Sequence, residues 1–270
     1  MIVKNNIQET GYTVITEEDG PQGMLLDFGI LNLSAREEWK DNDEQKERAW
    51  LLIKGELRFE WDGKSAEVKR LSCFEESPAV LHVPKGCKVT ITALADSEIA
   101  VEKKTNPKDF PSKLYRPEDV RSDIFGSGIM HDAAKRTVRT VFDGEINPHS
   151  NMVMGEVINH PGRWSSYPPH THPQPEIYHY RFFPEKGFGA SFLNEDVFQV
   201  KNGDTCLIQG GKSHSQVAGA GYAMYYIWMI PHLRDDRWLP TTRYFTAEHE
   251  WLNDKNVEIW PERKHGGKTK

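Results

Sequence analysis

The sequence lacks the features of a disulfide-stapled, membrane-spanning or nucleic-acid-binding protein. It has only three cysteines, Cys73, Cys87 and Cys206, and no Cys-x-x-Cys pair, which argues against a disulfide framework or a zinc knuckle. No stretch approaches the roughly 20 apolar residues that a membrane span requires. Because 40 acidic residues outnumber 34 basic ones and the net charge is −6, a nucleic-acid surface has little support. We therefore expect reduced thiols, no membrane and no nucleic-acid partner.

Residues 1–20 show no pattern of a secretion signal. They contain several charged side chains and no apolar core segment, which predicts a cytoplasmic protein. With 270 residues, the chain can bury roughly 70 to 75% of its unfolded surface, so it needs no metal merely to fold. A metal site in this sequence is therefore expected to be functional.

Helical periodicity is almost absent, apart from one helical turn expected near residues 248–253. Short apolar or alternating runs separated by turn residues dominate instead, and this spacing predicts the strands of a sandwich or barrel. The expected strands are residues 50–53, 57–61, 80–83, 89–93, 138–142, 152–158, 176–183, 190–193, 197–200, 205–209 and 222–230. The predicted fold class is all-β.

An interruption of this pattern divides the chain. Residues 105–127 carry three prolines and several charges, which is typical of a connection between two units. A Pro-Lys-Gly turn at 84–86 and a Gln-Gly-Gly turn at 209–211 stand between expected strands and indicate two copies of one β-barrel. We therefore predict two units, residues 1–120 and residues 121–270.

The most informative motif places three histidines and a glutamate in the second unit. His170 and His172 are two residues apart, so on an extended backbone both rings point to the same side. Glu176 opens the next strand, and His214 follows a Gly-Gly turn, from where it can approach on a neighbouring strand. Three imidazoles and one carboxylate suit a divalent transition metal such as Zn, Mn, Fe, Ni or Co, with coordination positions left open. We predict a metal site at these four residues.

This arrangement resembles the two sequence motifs of the cupins, in which His-x-His and Glu are followed by Gly-Asp and a further His. More narrowly, four segments resemble the family of 5-deoxy-glucuronate isomerases, which are bicupins of bacterial myo-inositol catabolism. The segments are Trp164-Ser-Ser-Tyr-Pro-Pro-His170, Glu176-Ile-Tyr-His-Tyr-Arg-Phe182, Gly187-Phe188-Gly189 and Gly221-Tyr222-Ala-Met-Tyr-Tyr226. The resemblance implies two tandem cupin jelly-roll barrels, with the metal held by His170, His172, Glu176 and His214.

The first unit departs from the metal-binding pattern. Val89 stands where the histidine of the second motif would be, and no His-x-His precedes it. An apolar residue at that position suits a barrel closed by side chains. We therefore expect a degenerate, metal-free first barrel with a structural role, such as dimerisation within a homo-oligomer.

The resemblance implies an aldose-ketose isomerase that converts 5-deoxy-D-glucuronate to 5-dehydro-2-deoxy-D-gluconate, with Zn as the expected ion. A divalent ion with open positions can bind the C1 carbonyl and the C2 hydroxyl oxygens and acidify the C2 proton. A protein group must then move a proton between C2 and C1. Tyr178, Tyr180 or a displaced Glu176 are candidates, because strand alternation points both tyrosines inward. The same alternation points His179 outward, to the surface or an interface.

We expect a positively charged side chain to bind the carboxylate of the substrate. Lys212, two residues from His214, and Arg181 are our main candidates, and the others are Arg163, Arg234, Arg237 and Arg243. Three alternative functions stay open: a 4-deoxy-5-keto-uronate isomerase of pectin breakdown, a cupin dioxygenase that holds iron, and a non-catalytic sugar-binding cupin.

Overall fold

The structure of the chain, a computed structural model, describes residues 1–254 and 256–260. The end of the predicted second unit, residues 261–270, lies outside the described part, as does residue 255. Strands dominate the described residues, among which there are three short 3-10 helices at Pro117–Asp119, Met130–Asp132 and Ala247–Asn253. In this part of the chain no helix is long and apolar enough to cross a membrane. The all-β class and the helical turn near residue 250 are confirmed.

The first half of the chain is a nine-stranded sheet that folds around its own apolar core. The first ten strands are β1 (Ile2–Val3), β2 (Gly11–Thr16), β3 (Asp27–Leu33), β4 (Glu38–Asp41), β5 (Lys46–Trp61), β6 (Lys64–Arg70), β7 (Val80–Val83), β8 (Val89–Ala93), β9 (Ser97–Thr105) and β10 (Lys113–Tyr115). Strands β2 to β10 form the sheet, whose core includes Trp50, Phe59 and Val89.

Strand β5 joins the two parts of this sheet. Its residues 46–54 pair with β9, and residues 48–51 also pair with β7. Its residues 55–61 pair with β6, and residues 57–61 also pair with β8. The strand bends at Gly55, which has a φ of +119° and where an added Cβ would lie 2.3 Å from the Oγ of Ser97. Only glycine fits such a bend without displacing its neighbours. The expectation of two separate strands, 50–53 and 57–61, was therefore wrong, because the chain turns this corner without leaving the sheet.

The second half forms two sheets that face each other across a second core. Its strands are β11 (Arg121–Phe125), β12 (Arg136–Phe142), β13 (Met152–Asn159), β14 (Trp164–Thr171), β15 (Glu176–Phe183), β16 (Phe188–Leu193), β17 (Asp196–Lys201), β18 (Thr205–Ile208), β19 (His214–Ala218), β20 (Ala223–Pro231) and β21 (Tyr244–Phe245). The seven-stranded sheet has the order β1-β18-β15-β20-β13-β12-β11, and the five-stranded sheet has the order β17-β16-β19-β14-β21.

The two halves pack against each other through a third core. Phe28 and Leu51 of the first half meet Phe142 and Tyr225 of the second in one apolar cluster. In addition, β1 crosses to the second half, where it pairs with β18. Sheet membership changes between β10 and β11, close to the expected boundary at residue 120. The expected connection, residues 105–127, also contains these two short strands. The sequence did not predict them, because prolines and charged residues interrupt the strand pattern there.

Candidate metal centre and cavity

The four predicted ligands come together between the two sheets of the second half. His170 on β14 and His214 on β19 lie opposite each other in the five-stranded sheet, and Glu176 begins β15 in the facing sheet. His172 lies one residue beyond the end of β14. All four residues are at most 5% exposed.

The distances within this cluster are those of ligands around one ion. The ligand atoms of the three histidines all lie within 4.8 Å of one another. The Oε2 atom of Glu176 is 3.3 Å from Nε2 of His172 and 3.2 Å from Nε2 of His214. Two ligands that each lie about 2.1 Å from a shared ion are separated by roughly 3.0 to 3.4 Å, so Glu176 belongs to the set.

Backbone carbonyls orient all three imidazole rings. The Nδ1 atoms of His170, His172 and His214 lie 3.4, 2.9 and 3.1 Å from the carbonyl oxygens of Pro168, Gln174 and Lys212. Because a carbonyl can only accept, each Nδ1 carries the proton and each Nε2 keeps its lone pair. Within the described part of the chain, the buried Nε2 of His214 has no hydrogen-bond partner. An orphaned nitrogen beside a carboxylate and two further imidazoles is what a metal ion would satisfy, so these residues fit one.

Electrostatics favour the ligating forms of Glu176 and His170. Burial would raise the pKa of Glu176, but the adjacent imidazoles of His172 and His214 outweigh it and lower the pKa below its usual range. Burial also holds the pKa of His170 well below its usual value, and the neighbouring side chains of His214 and Arg243 act in the same direction. A carboxylate and a neutral imidazole are the ligating forms of these side chains.

A cavity of about 400 Å³ opens beside the cluster and is lined by His170, His172 and Glu176. This size is typical of pockets for small molecules. Tyr178 also lines it, and its hydroxyl lies 2.9 Å from the Oγ of Ser166, where β14 departs from regular pairing. The prediction had therefore placed Tyr178 on the correct face of β15.

Tyr180 shares the strand face of Tyr178 but does not line this cavity. Its hydroxyl donates a 2.7 Å hydrogen bond to Oε1 of Gln216, and the side chain is fully buried. Tyr226 on the adjacent strand lines the cavity instead, with its hydroxyl 2.7 Å from the Oγ of Ser165. We had not predicted Tyr226 as a residue of the site, although it ends the segment 221–226 that resembles the isomerase family.

Arg181 lies on the opposite face of β15, away from the metal cluster. Its guanidinium forms an ion pair with Glu98 of the first half and donates a hydrogen bond to Nε2 of His179. His179 does point out of its barrel, as predicted, but it is fully buried against Phe28 and is not on the surface. The structure therefore separates Arg181 from the cavity, because residues 179 and 181 face the first half.

Lys212 is also absent from the lining of the cavity. It is partly exposed, and its side-chain charge acts on the amino group of Met1, which lies beside β18 at the edge of the sheet. Its backbone carbonyl is the part that serves the site, through Nδ1 of His214. The cations that do line the cavity are Arg121, Arg136 and Arg243, of which we had considered Arg243 alone.

Comparison with known proteins shows which family the chain resembles. Residues 1–252 match the KduI/IolB family. A protein of Geobacillus thermodenitrificans named 5-deoxy-glucuronate isomerase is 25% identical over 248 residues, covering 84% of this chain and 87% of the relative. One of the same name from Bacillus subtilis strain 168 is 24% identical over 254 residues, covering 85% and 88%.

Solved structures show the same fold. An IolB-like protein from Salmonella typhimurium LT2 gives a TM-score of 0.83 at 22% identity, over 94% of this chain and 99% of that one. Oxalate decarboxylase of Lactobacillus farciminis gives 0.62 at 13% identity, over 84% and 83%. A cupin 2 conserved barrel domain protein from Leptotrichia buccalis gives 0.52 at 13% identity, over 85% and 92%. The predicted cupin fold is confirmed.

The family match extends from residue 1 to residue 252 of a chain of 270 residues. The chain therefore belongs to the KduI/IolB family.

Proposed function

We propose that the chain is an aldose-ketose isomerase that converts 5-deoxy-D-glucuronate to 5-dehydro-2-deoxy-D-gluconate in inositol catabolism. The observation that carries this proposal is the buried set of three histidines and one glutamate, of which His170, His172 and Glu176 line a ligand-sized cavity. The names of the relatives from Geobacillus and Bacillus support the substrate. In the reaction C2 loses a hydrogen, C1 gains one, and the hydroxyl proton passes from O2 to O1.

His170, His172, Glu176 and His214 would hold one divalent transition metal, with Zn as the expected ion. Such an ion supplies Lewis-acid stabilisation of negative charge on the sugar oxygens. The protein contributes the orientation of the imidazoles through backbone carbonyls. These contacts fix the site before substrate arrives, which is how a preorganised site lowers a barrier.

Tyr178 is the group we assign to proton transfer between C2 and C1. Its hydroxyl lines the cavity and lies 2.9 Å from the Oγ of Ser166, so a proton can pass along this pair. Tyr180 was an equal candidate from the sequence. We do not assign it a proton-transfer role, because its hydroxyl is bound to Gln216.

The remaining parts of the proposal concern the whole protein. We propose a division into two units at residue 120, a first unit that contributes packing and no metal, a homo-oligomer and a cytoplasmic location. The apolar core around Val89 supports the structural role of the first unit.

The decisive experiment is NMR of the metal-loaded protein incubated with 5-deoxy-D-glucuronate under anaerobic conditions. We expect the aldehyde signal to be replaced by that of a hydroxymethyl ketone. Conversion of 4-deoxy-5-keto-uronate alone would assign the chain to pectin breakdown. Turnover that requires oxygen would indicate a dioxygenase, and binding without conversion would indicate a sugar-binding protein.

A further inference from the structure

Two arginines in the cavity have no acidic partner among the residues that the structure describes. Arg136 begins β12, and its Nη1 donates a 2.9 Å hydrogen bond to the carbonyl of Ala134, while its guanidinium lies 5.7 Å from the centre of the Phe125 ring. Arg243 lies 5.9 Å from the centre of the Trp238 ring. Among the described residues, no carboxylate forms an ion pair with either arginine.

These two positive charges are close enough to oppose each other. Burial lowers the pKa of Arg136, and the charge of Arg243 lowers it further. Arg243 directly precedes β21, whose Phe245 pairs with His170, and Arg243, Arg136 and His170 line the same cavity, so Arg243 lies close to the metal cluster. An anion bound between the two guanidinium groups would offset both the repulsion and the partial loss of solvent.

Arg121 lines the same cavity but differs in this respect. Its Nη2 lies 3.2 Å from a carboxylate oxygen of Asp143, and its Nε lies 3.7 Å from one of Asp123. Its charge is therefore already compensated within the protein. Arg121 thus offers a matched comparison for the two unpaired arginines.

We infer that Arg136 and Arg243 bind the carboxylate of the substrate and set the preference of the enzyme for sugar acids over neutral sugars. This inference rests on the proposed function. With the carboxylate at the arginines, the C1 and C2 end of the open-chain sugar extends to the histidine cluster. Trp228 and Trp238 line the same cavity, so their rings can pack against the sugar between the two ends.

The test compares kcat/KM for 5-deoxy-D-glucuronate with that for 5-deoxy-D-glucose, which lacks the carboxylate. We expect Arg136→Gln and Arg243→Gln each to lower the value for the sugar acid roughly 10- to 100-fold, as loss of a hydrogen bond to a charged group predicts. The value for the neutral sugar should change less than about 3-fold. Arg136→Lys should restore part of the loss, and Arg121→Gln should leave the ratio of the two values within about 3-fold of the wild type.

Binding of D-gluconate, measured by calorimetry on the same metal-loaded proteins, separates this inference from the proposed function. If the wild type turns over neither sugar, the proposed isomerase activity fails, but gluconate binding that is lost in both arginine variants would still support the carboxylate site. Equal losses for the sugar acid and the neutral sugar would overturn the inference while leaving the isomerase standing. Absence of both turnover and gluconate binding in the wild type would also overturn it.

Discussion

Glu156 on β13 forms a bidentate ion pair with Arg70 on β6, with N–O distances of 2.7 and 2.9 Å. Both side chains are at most 1% exposed. Arg139 at 3.2 Å and the hydroxyl of Tyr225 at 2.5 Å complete the surroundings of the carboxylate. This network crosses from the first half of the chain to the second, in the interface that also buries His179.

Removal of this carboxylate should destabilise the protein strongly. Glu156→Ala leaves Arg70 and Arg139 buried without a counter-charge, for which we expect a loss of about 3 to 5 kcal/mol in the free energy of unfolding. Urea denaturation measures this. As a control, Glu67→Ala removes the partner of Arg58 from an ion pair whose side chains are 44% and 55% exposed, and should cost at most about 1 kcal/mol. Equal losses for both variants would contradict the role of the buried pair.

The metal content should follow the four predicted ligands. We expect one transition metal per chain in the mildly purified protein and loss of most of it in His172→Ala, while the far-ultraviolet circular dichroism stays that of the wild type. Elemental analysis of both proteins tests this. The exposed His149 provides the control, since His149→Ala should keep the metal. Two ions per chain in the wild type, or global unfolding of His172→Ala, would refute the prediction.

Exchange with solvent should report the chemistry of the cavity. If a proton leaves C2 and another is delivered to C1, turnover in heavy water places deuterium in the product, whereas a direct hydride shift carries the original hydrogen across. We expect deuterium by NMR and a decrease of about 100-fold in kcat for Tyr178→Phe. Tyr180→Phe should retain most of the turnover and lose about 1 kcal/mol of stability with its bond to Gln216. Full activity of Tyr178→Phe without deuterium uptake would exclude the proton-transfer route.

Val89 should matter for stability and not for turnover. It is 2% exposed in the core of the first half, so Val89→Thr buries a hydroxyl there, at a cost of about 1 to 3 kcal/mol. The activity of the folded, metal-loaded variant should match that of the wild type within about 2-fold. A large loss of turnover in folded protein would instead show that the first half takes part in catalysis.

His232 should make the protein less stable in mild acid. Burial, together with the nearby charge of Arg237, lowers its pKa to about 3, and its Nδ1 accepts a hydrogen bond from the backbone of Trp238. Because the unfolded chain binds this proton near pH 6.5, stability is full above that pH and falls as the pH drops towards 3. His232→Gln does not titrate, so its loss of stability between pH 7 and 5 should be smaller by up to about 2 kcal/mol. Identical pH profiles in urea denaturation would contradict this.

The sequence predicted that the four residues of the cluster meet, because His170, His172 and Glu176 flank one turn and His214 follows a Gly-Gly turn beside them. Their role as metal ligands stays a prediction. Strand alternation then correctly assigned Tyr178 to the inside. The same alternation places Arg181 on the outer face of β15 together with His179, and therefore away from the cavity. We had not applied it when we chose candidates for binding the substrate carboxylate. Arg136 carries no local signal, since a single arginine at the start of a strand is ordinary and only tertiary structure brings it beside the metal cluster. Of the two positions expected for His179, the surface or an interface, the structure shows the interface, since the first half covers it. The pattern of one barrel could not decide between them.

The pairing of β1 with β18 also constrains the order in which the chain can fold during synthesis. Ile2 and Val3 leave the ribosome about 200 residues before their partners Cys206 and Thr205. The nascent first half can close its own sheet in the meantime, but its leading segment must wait without a partner. Strand β18 also pairs with β15, which carries Glu176, so β1 completes the edge of the sheet that holds this residue of the site only after β18 has been synthesised.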